Sequence, residues 1–380
     1  MDKKKVVFLT GTRADFGKLK PLIEIVHHNL VYDVHLFATG MHMSKKYGLT
    51  VDEIVRCGYS NIYRYINHHD SDTMDIVLAK TVSGFSDYIK EIKPDLIVVH
   101  GDRVEALAGS ITGALNNILV GHIEGGEVSG TIDELIRHSV SKMSHVHFVA
   151  NEGARRRLVQ MGEDPTSVYV IGSPDIDIMQ SGTLPTLASV QDHYGIPFSD
   201  YGILLFHPVT TEQDSLGEYA QNLVAATIAS QLNYVVIFPN NDSGTQLILD
   251  AFSRFSGLPQ FRVFPSMRFE SFLVLMEHAQ LIVGNSSAGI REAPVYGVPT
   301  VNIGTRQNRR ISADSIIDCD YSKEAIIDAI SRAQHLIRTP CSYFGDGKSA
   351  SRFGEILATS TFWEIPKQKY FIDVVPNVHG

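Results

Sequence analysis

The chain has 380 residues, 44% of them hydrophobic and 20% charged, with 42 acidic against 33 basic side chains and a net charge of −9. That length exceeds one ordinary core and fits two domains of similar size, and the composition is that of a globular protein. The negative balance excludes a general affinity for nucleic acid or anionic membrane, and no apolar run approaches the ~20 residues of a membrane span.

The basic start Met1-Asp2-Lys3-Lys4-Lys5 is followed by only Val6 to Leu9 before Gly11-Thr12-Arg13. A signal peptide needs an apolar part of ~7–15 residues, so this stretch reads as the first strand of a cytoplasmic protein. Cys57, Cys319 and Cys341 lie far apart with no CxxC or metal spacing, which fits a reducing compartment. From there short apolar runs alternate with longer amphipathic stretches. The runs of the first half are 6–10, 34–39, 96–100, 119–123, 146–150 and 168–171, with helical patterns such as 19–30, 74–92 and 132–143 between them. In the second half the runs are 203–207, 234–239, 261–264, 281–284 and 300–303. Helical patterns there lie near 212–231, 244–255, 269–280, 288–296 and 323–337. Unalternating runs of four to six residues suggest strands buried on both faces, and strand–helix–strand repetition gives a doubly wound parallel sheet. The pattern occurs twice. The reading is therefore an α/β chain with an N-terminal Rossmann-like domain over 1–180 and a C-terminal one over 181–365. The boundary falls in the weakly patterned 181–200, and a tail, 366–380, has no clear partner and is a candidate to pack back on the N-terminal domain.

Ligands of open α/β sheets bind beyond the carboxyl ends of the strands, and the polar motifs of this chain cluster there: GTRAD (11–15), GDR (101–103), EGGE (124–127), GSPD (172–175), HPVT (207–210), PNND (239–242), GNSS (284–287) and GTRQ (304–307). Two such sheet ends facing each other would enclose an interdomain cleft. Ser286 and Ser287, ahead of a helix over 288–296, offer hydroxyls, N–H groups and a helix dipole to an anion, although either serine serves equally as a plain helix cap. Arg13, Arg103 and Arg306 stand in like positions and favour the anion site. Asp133 shares a helix face with Arg137, and Glu134 with His138. One such pair alone reads as a solvated surface pair, but Glu124 and Glu127 precede this helix on a glycine turn, and acids packed near each other suit general acid–base work. His207 ends an apolar strand and favours a site role. His100 and His122, still within their strands, favour a structural one. No GxGxxG follows the first strand, the GKS at 347–349 lacks its upstream glycine, and His122-Ile123-Glu124 has no PCxxC after it. These absences argue against bound NAD, a nucleoside triphosphatase and zinc chemistry.

The motifs GTRADFGKLKPL (11–22), TGMHM (39–43), HGDRVEALA (100–108), HIEGGEVSGTID (122–133), IRHSVSKMSH (136–145), GSPD (172–175), HPVTTE (207–212), PNND (239–242), GNSSAGIREAP (284–294), YGVP (296–299) and GTRQ (304–307), in this order, resemble the hydrolysing UDP-N-acetylglucosamine 2-epimerases of sialic acid synthesis. The GTRAD and IEGGEVSGTID forms look like the hydrolysing branch. GNSS is shared with the non-hydrolysing one. The resemblance implies a GT-B-like pair of domains, UDP held mainly by the second, catalysis without metal or NAD, and a homodimer or higher homo-oligomer. By matching position, Asp102, Glu124 and Asp133 look like the acid–base carboxylates and His207 like the site histidine. Arg13, Asn240, Ser286, Ser287, Glu292 and Arg306 look like contacts of the nucleotide sugar. Four rivals stand beside this reading. One is the same chemistry on UDP-2,4-diacetamido-2,4,6-trideoxyglucose, another a reversible non-hydrolysing epimerase. The others are a GT-B glycosyltransferase and a nucleotide-sugar-binding regulator without turnover.

Overall fold

The computed structural model describes residues 3–69, 72–129, 131–240, 242–307, 310 and 313–373. They divide into two compact units. The first comprises Met1–Glu127, Asp133–Gln180 and Phe344–Gly380, and the second Val128–Ile132 with Ser181–Tyr343.

The strands of the first unit are β1 (Lys4–Thr10), β2 (Tyr32–Ala38), β3 (Asn61–Arg64), β4 (Leu96–His100), β5 (Leu119–Ile123), β6 (Val146–Val149) and β7 (Val168–Val170). They form one parallel sheet in the order β3-β2-β1-β4-β5-β6-β7. The second unit contributes β8 (Gly202–Leu205), β9 (Tyr234–Ile237), β10 (Phe261–Phe264), β11 (Leu281–Gly284), β12 (Thr300–Ile303) and β13 (Ile316–Cys319). These are again parallel, in the order β10-β9-β8-β11-β12-β13. The second order is the 3-2-1-4-5-6 of the Rossmann fold and the first is the same with a seventh strand added at the edge, so in each sheet the strand order reverses between the first and fourth strands. The reversal falls between β1 and β4 in one unit and between β8 and β11 in the other.

Helices cover the sheets because their apolar residues recur at helical spacing. Phe16, Leu19, Leu22, Ile23 and Val26 of the helix Arg13–His27 are buried in one core with Val6, Phe8, Leu36 and Val98. Each such side chain contributes about 1.5–3 kcal/mol of burial. That core also takes in Phe353, Leu357 and Phe362, from the helices Ser349–Leu357 and Ser360–Trp363. The sequence reading ran the second domain to 365. The structure instead places the chain from Phe344 onward with the first unit, because those three apolar side chains complete its core. Residues 367–372 continue along the same unit. His145 Nε2 meets Lys367 O at 3.0 Å, and Ile372 N donates to Gly162 O at 3.0 Å. Residues 374–380 of the expected tail lie outside the described residues. In the weakly patterned 181–200, the helix Leu187–Tyr194 and the following turn bury Val190, Ile196 and Phe198 in the second unit's core.

The helix expected over 288–296 is two pieces: one helical turn, Ala288–Arg291, and a 3₁₀ turn, Ala293–Tyr296. Pro294 has no N–H to continue an α-helix and clashes with the preceding turn. The helix dipole expected behind Ser286 and Ser287 is correspondingly short.

Candidate active site

In the first unit the switch point is lined by charge. β1 runs into Thr12, whose side chain caps the helix by accepting from Asp15 N at 3.1 Å, while Asp15 Oδ2 accepts from Gly11 N at 2.9 Å. The capping geometry turns Asp15 toward β4. There His100 Nδ1 lies 2.9 Å from Asp15 Oδ1, and His100 Nε2 lies 3.3 Å from Glu124 Oε2. Burial alone would lower the proton affinity of this ring. Glu124 and Asp15 outweigh it and hold its pKa up to about 10, so the ring is an imidazolium at neutral pH. Glu124 Oε1 accepts from Ser173 Oγ at 2.8 Å and lies 4.0 Å from Lys18 Nζ, which is 3.4 Å from the buried Asp175. Glu124 itself has φ +65, a left-handed conformation that costs a non-glycine residue of order 1–3 kcal/mol. The surrounding ion pairs and the bond from its N–H to Phe148 O at 3.0 Å hold it there.

One strand end away, Asp102 is ion-paired with Arg137, which is buried on the helix Ile132–Met143. The first turn of that helix carries Asp133 and Glu134, and Glu134 lies 3.7 Å from His138. Two of the three expected carboxylates, Asp102 and Glu124, thus stand at neighbouring strand ends, and Arg137 ties the helix of the third to Asp102. Arg13 pairs with Glu53 at 2.8 Å and Arg103 with Glu105 at 3.4 Å, so both expected anion-binding cations already have a carboxylate beside them. His122 accords with its structural reading. Its ring meets Gly101 O at 2.8 Å and Ser141 Oγ at 3.1 Å, and burial pushes its pKa down to about 3.

The second switch point is built from amides. His207 N donates to Asn285 Oδ1 at 2.7 Å, and Asn285 Nδ2 donates back to His207 O at 2.9 Å, joining the ends of β8 and β11. Gly284 is required for this approach: its φ is +135, and a Cβ there would fall 1.8 Å from Leu205 O. His207 Nδ1 accepts from Asn240 N at 3.0 Å, which places the proton of a neutral ring on Nε2. Asn285 O accepts from Arg306 Nη1 at 3.3 Å and Gln307 Nε2 at 2.8 Å. Ser286 Oγ accepts from Ala288 N at 3.3 Å, the local capping role weighed above for it. Ser287 precedes the helical turn, and Glu292 follows it, buried.

Sequence reasoning missed Asp15, Lys18, His100, Ser173, Asp175, Asn285 and Gln307 as members of these clusters. All but His100 stand inside strand-end motifs or the run that continues them, and His100 is the last residue of β4. The available signal was position at a strand end.

Residues 25–358 match the family model described as UDP-N-acetylglucosamine 2-epimerase. The chain belongs to this family. It is 48% identical over 375 residues to the UDP-N-acetylglucosamine 2-epimerase of Neisseria meningitidis serogroup B, covering 98% of this chain and 99% of that protein. It is 33% identical over 363 residues to the hydrolysing UDP-N,N'-diacetylbacillosamine 2-epimerase of Legionella pneumophila, with 94% and 96% covered. Among solved structures, the UDP-GlcNAc 2-epimerase of Methanocaldococcus jannaschii, in complex with UDP-GlcNAc and UDP, superimposes with a TM-score of 0.81. It is 22% identical, with 93% of this chain and 99% of that one covered. The likeness is one of fold: this epimerase-family chain has the GT-B-like two-domain architecture.

Proposed function

We propose that the chain is a hydrolysing UDP-N-acetylglucosamine 2-epimerase that releases UDP and N-acetylmannosamine for sialic acid synthesis. The observation that carries the reading is the pair of acids at neighbouring strand ends, Asp102 beside Arg137 and Glu124 beside His100 and Lys18, in a chain of this family. The C2 hydrogen of the sugar is not next to a carbonyl, so direct deprotonation is hard. Departure of UDP makes C1 oxocarbenium-like and acidifies C2. Loss of the C2 proton to one of Asp102, Glu124 and Asp133, with loss of UDP from C1, gives 2-acetamidoglucal. Water then adds its oxygen to C1, and a proton returns to C2 from the opposite face. Arg13, Arg103, Arg137, Arg306, Asn240, Ser286, Ser287, Glu292 and His138 are the proposed contacts of the nucleotide sugar, and His207 is proposed as a catalytic residue with the three acids. Donors aimed at the departing diphosphate stabilise the charge that develops there, and losing one costs ~10²–10³ in rate. Among the described residues no helix is long and apolar enough to cross a membrane. The reading includes a cytoplasmic enzyme that assembles as a homodimer or larger homo-oligomer.

The test is proton NMR of the enzyme with UDP-N-acetylglucosamine in D₂O. UDP and free N-acetylmannosamine deuterated at C2 are expected. UDP-N-acetylmannosamine as product would make the enzyme non-hydrolysing. An unchanged spectrum would move the substrate to a 2,4-diacetamido sugar nucleotide, a second reading favoured by the 33% likeness to the Legionella enzyme.

A further inference from the structure

Glu212 closes the motif HPVTTE, five residues beyond His207, and none of the roles above uses it. Its carboxylate spends both oxygens on hydroxyls. Thr305 Oγ1 donates to Oε1 at 2.5 Å and Tyr321 Oη donates to Oε2 at 2.6 Å. Tyr321 is held in turn. Its ring lies flat on Tyr219, with centroids 3.7 Å apart and planes within 2°, and its hydroxyl accepts from Thr305 N at 3.4 Å. Burial and the Glu212 carboxylate both raise the pKa of that hydroxyl, so it stays a donor. Gly304 passes against the ring with φ +75, and a Cβ there would fall 2.0 Å from Tyr321 Cζ. Beyond Thr305 come Arg306 and Gln307, both buried, whose side chains donate to Asn285 O. The turn 304–307 is therefore gripped on one flank by Glu212 and Tyr321 and on the other by Asn285, which also holds His207.

A turn ordered before the ligand arrives spares the ligand the cost of ordering it. We propose that Glu212 is a positioning residue for the nucleotide: by bridging the hydroxyls of Thr305 and Tyr321 it fixes the 304–307 turn so that Arg306 is presented to the diphosphate. This rests on the reading of Arg306 as a nucleotide contact.

The experiment is calorimetric titration of UDP into the wild-type chain and into Glu212→Gln, Glu212→Ala and Thr305→Val, with thermal melting as the folding control. Glu212→Ala is expected to weaken UDP binding about 10-fold or more, the scale of one charge-assisted hydrogen bond. Thr305→Val and Glu212→Gln each keep part of the bridge and should fall between. In turnover the variants should lower kcat/KM for the UDP sugar at least as much as UDP affinity, while affinity for uridine, which has no diphosphate, stays within about 2-fold, a split that general loosening of the fold would not give. UDP binding as tight as wild type in folded Glu212→Ala, or in folded Thr305→Val and Glu212→Gln should the alanine variant not fold, overturns the inference alone. A wild-type chain that binds no UDP overturns the nucleotide reading and the inference with it.

Discussion

Replacing Glu163 by Gln should destabilise the first unit by about 3 kcal/mol at neutral pH, and the loss should vanish in acid. Glu163 follows the helix Glu152–Gln160, and its side chain is fully buried. Lys142 Nζ lies 2.7 Å from one oxygen, and Lys369 Nζ and His147 Nε2 lie 2.5 and 2.9 Å from the other. Lys369 also donates to the carbonyls of Ser141, Lys142 and Ser144 at 3.0, 3.0 and 2.6 Å, closing the C-terminal end of the helix that bears Asp133 and Arg137. Burial works to raise the Glu163 pKa. His147 and the two lysines win, and it falls from 4.5 to about 2. At about 1.36 kcal/mol per pH unit that difference is about 3 kcal/mol, which agrees with the ~3–5 kcal/mol lost when one partner of a buried pair is removed. A depressed carboxylate stabilises above its unfolded pKa, so the contribution is complete above about 4.5 and is lost as pH falls toward 2. The assay is urea unfolding followed by the fluorescence of Trp363, the chain's one tryptophan, which donates to Leu357 O and packs on Phe362 within the first unit. Equal midpoints for wild type and variant at pH 7, or a gap that persists unchanged below pH 3, would refute the reasoning.

Three further outcomes are expected. Asn285→Ala strips partners from both the N–H and the C=O of His207, roughly 1–3 kcal/mol for each group. Urea unfolding by circular dichroism should show the loss, and a wild-type midpoint would refute it. The His100 ring should remain an imidazolium at pH 8 by ¹⁵N NMR. Because its folded pKa is raised to about 10, its stabilisation is complete below about 6.5 and fades as pH climbs to 10. A neutral-ring spectrum at pH 8 would show that Asp15 and Glu124 do not hold the proton. Asp102→Asn removes both a candidate proton carrier and the partner of Arg137, and turnover should fall ~10²–10⁴-fold; near wild-type turnover would take Asp102 out of the chemistry.

The continuous apolar runs of the central strands were legible because burial on both faces leaves no room for polar alternation. The two strands the sequence hid, β3 and β13, are sheet edges. Asn61-Ile62-Tyr63-Arg64 is half exposed, and Ile316–Cys319 is broken by an exposed Asp318. The helix Val104–Leu115 is a different case. It packs closely through small residues, with Gly109 against Val99 and Gly113 against Val120, and these give little apolar contrast. The C-terminal helices were assigned to the wrong unit because Phe353, Leu357 and Phe362 look alike whichever core receives them. Motif residues could be picked out singly, but their partners could not. Asp15, His100 and Glu124 meet only because the strand order reverses between β1 and β4, a fact of topology that no local window contains.

That same reversal, made twice, yields two chemically different strand ends. At β1 and β4 the occupants are charged: an imidazolium between Asp15 and Glu124, a lysine between that same Glu124 and Asp175, and the Asp102–Arg137 pair beside them. On the proposed reading, the carboxylates of this cluster move the proton at the carbon next to the departing anion. At β8 and β11 the bridge is an uncharged amide that satisfies a backbone N–H and C=O, and Arg306 is set beside it by hydrogen bonds to a carbonyl. At the first switch point Glu53 and Glu105 stand beside Arg13 and Arg103 and offset part of their charge. On the proposed reading UDP is held mainly by the second unit, so diphosphate recognition weighs on Arg306 more than on either of those arginines. Arg306→Ala should cost more UDP affinity than Arg13→Ala, and the reverse order in the same calorimetric titration would place the diphosphate with the first unit's cations.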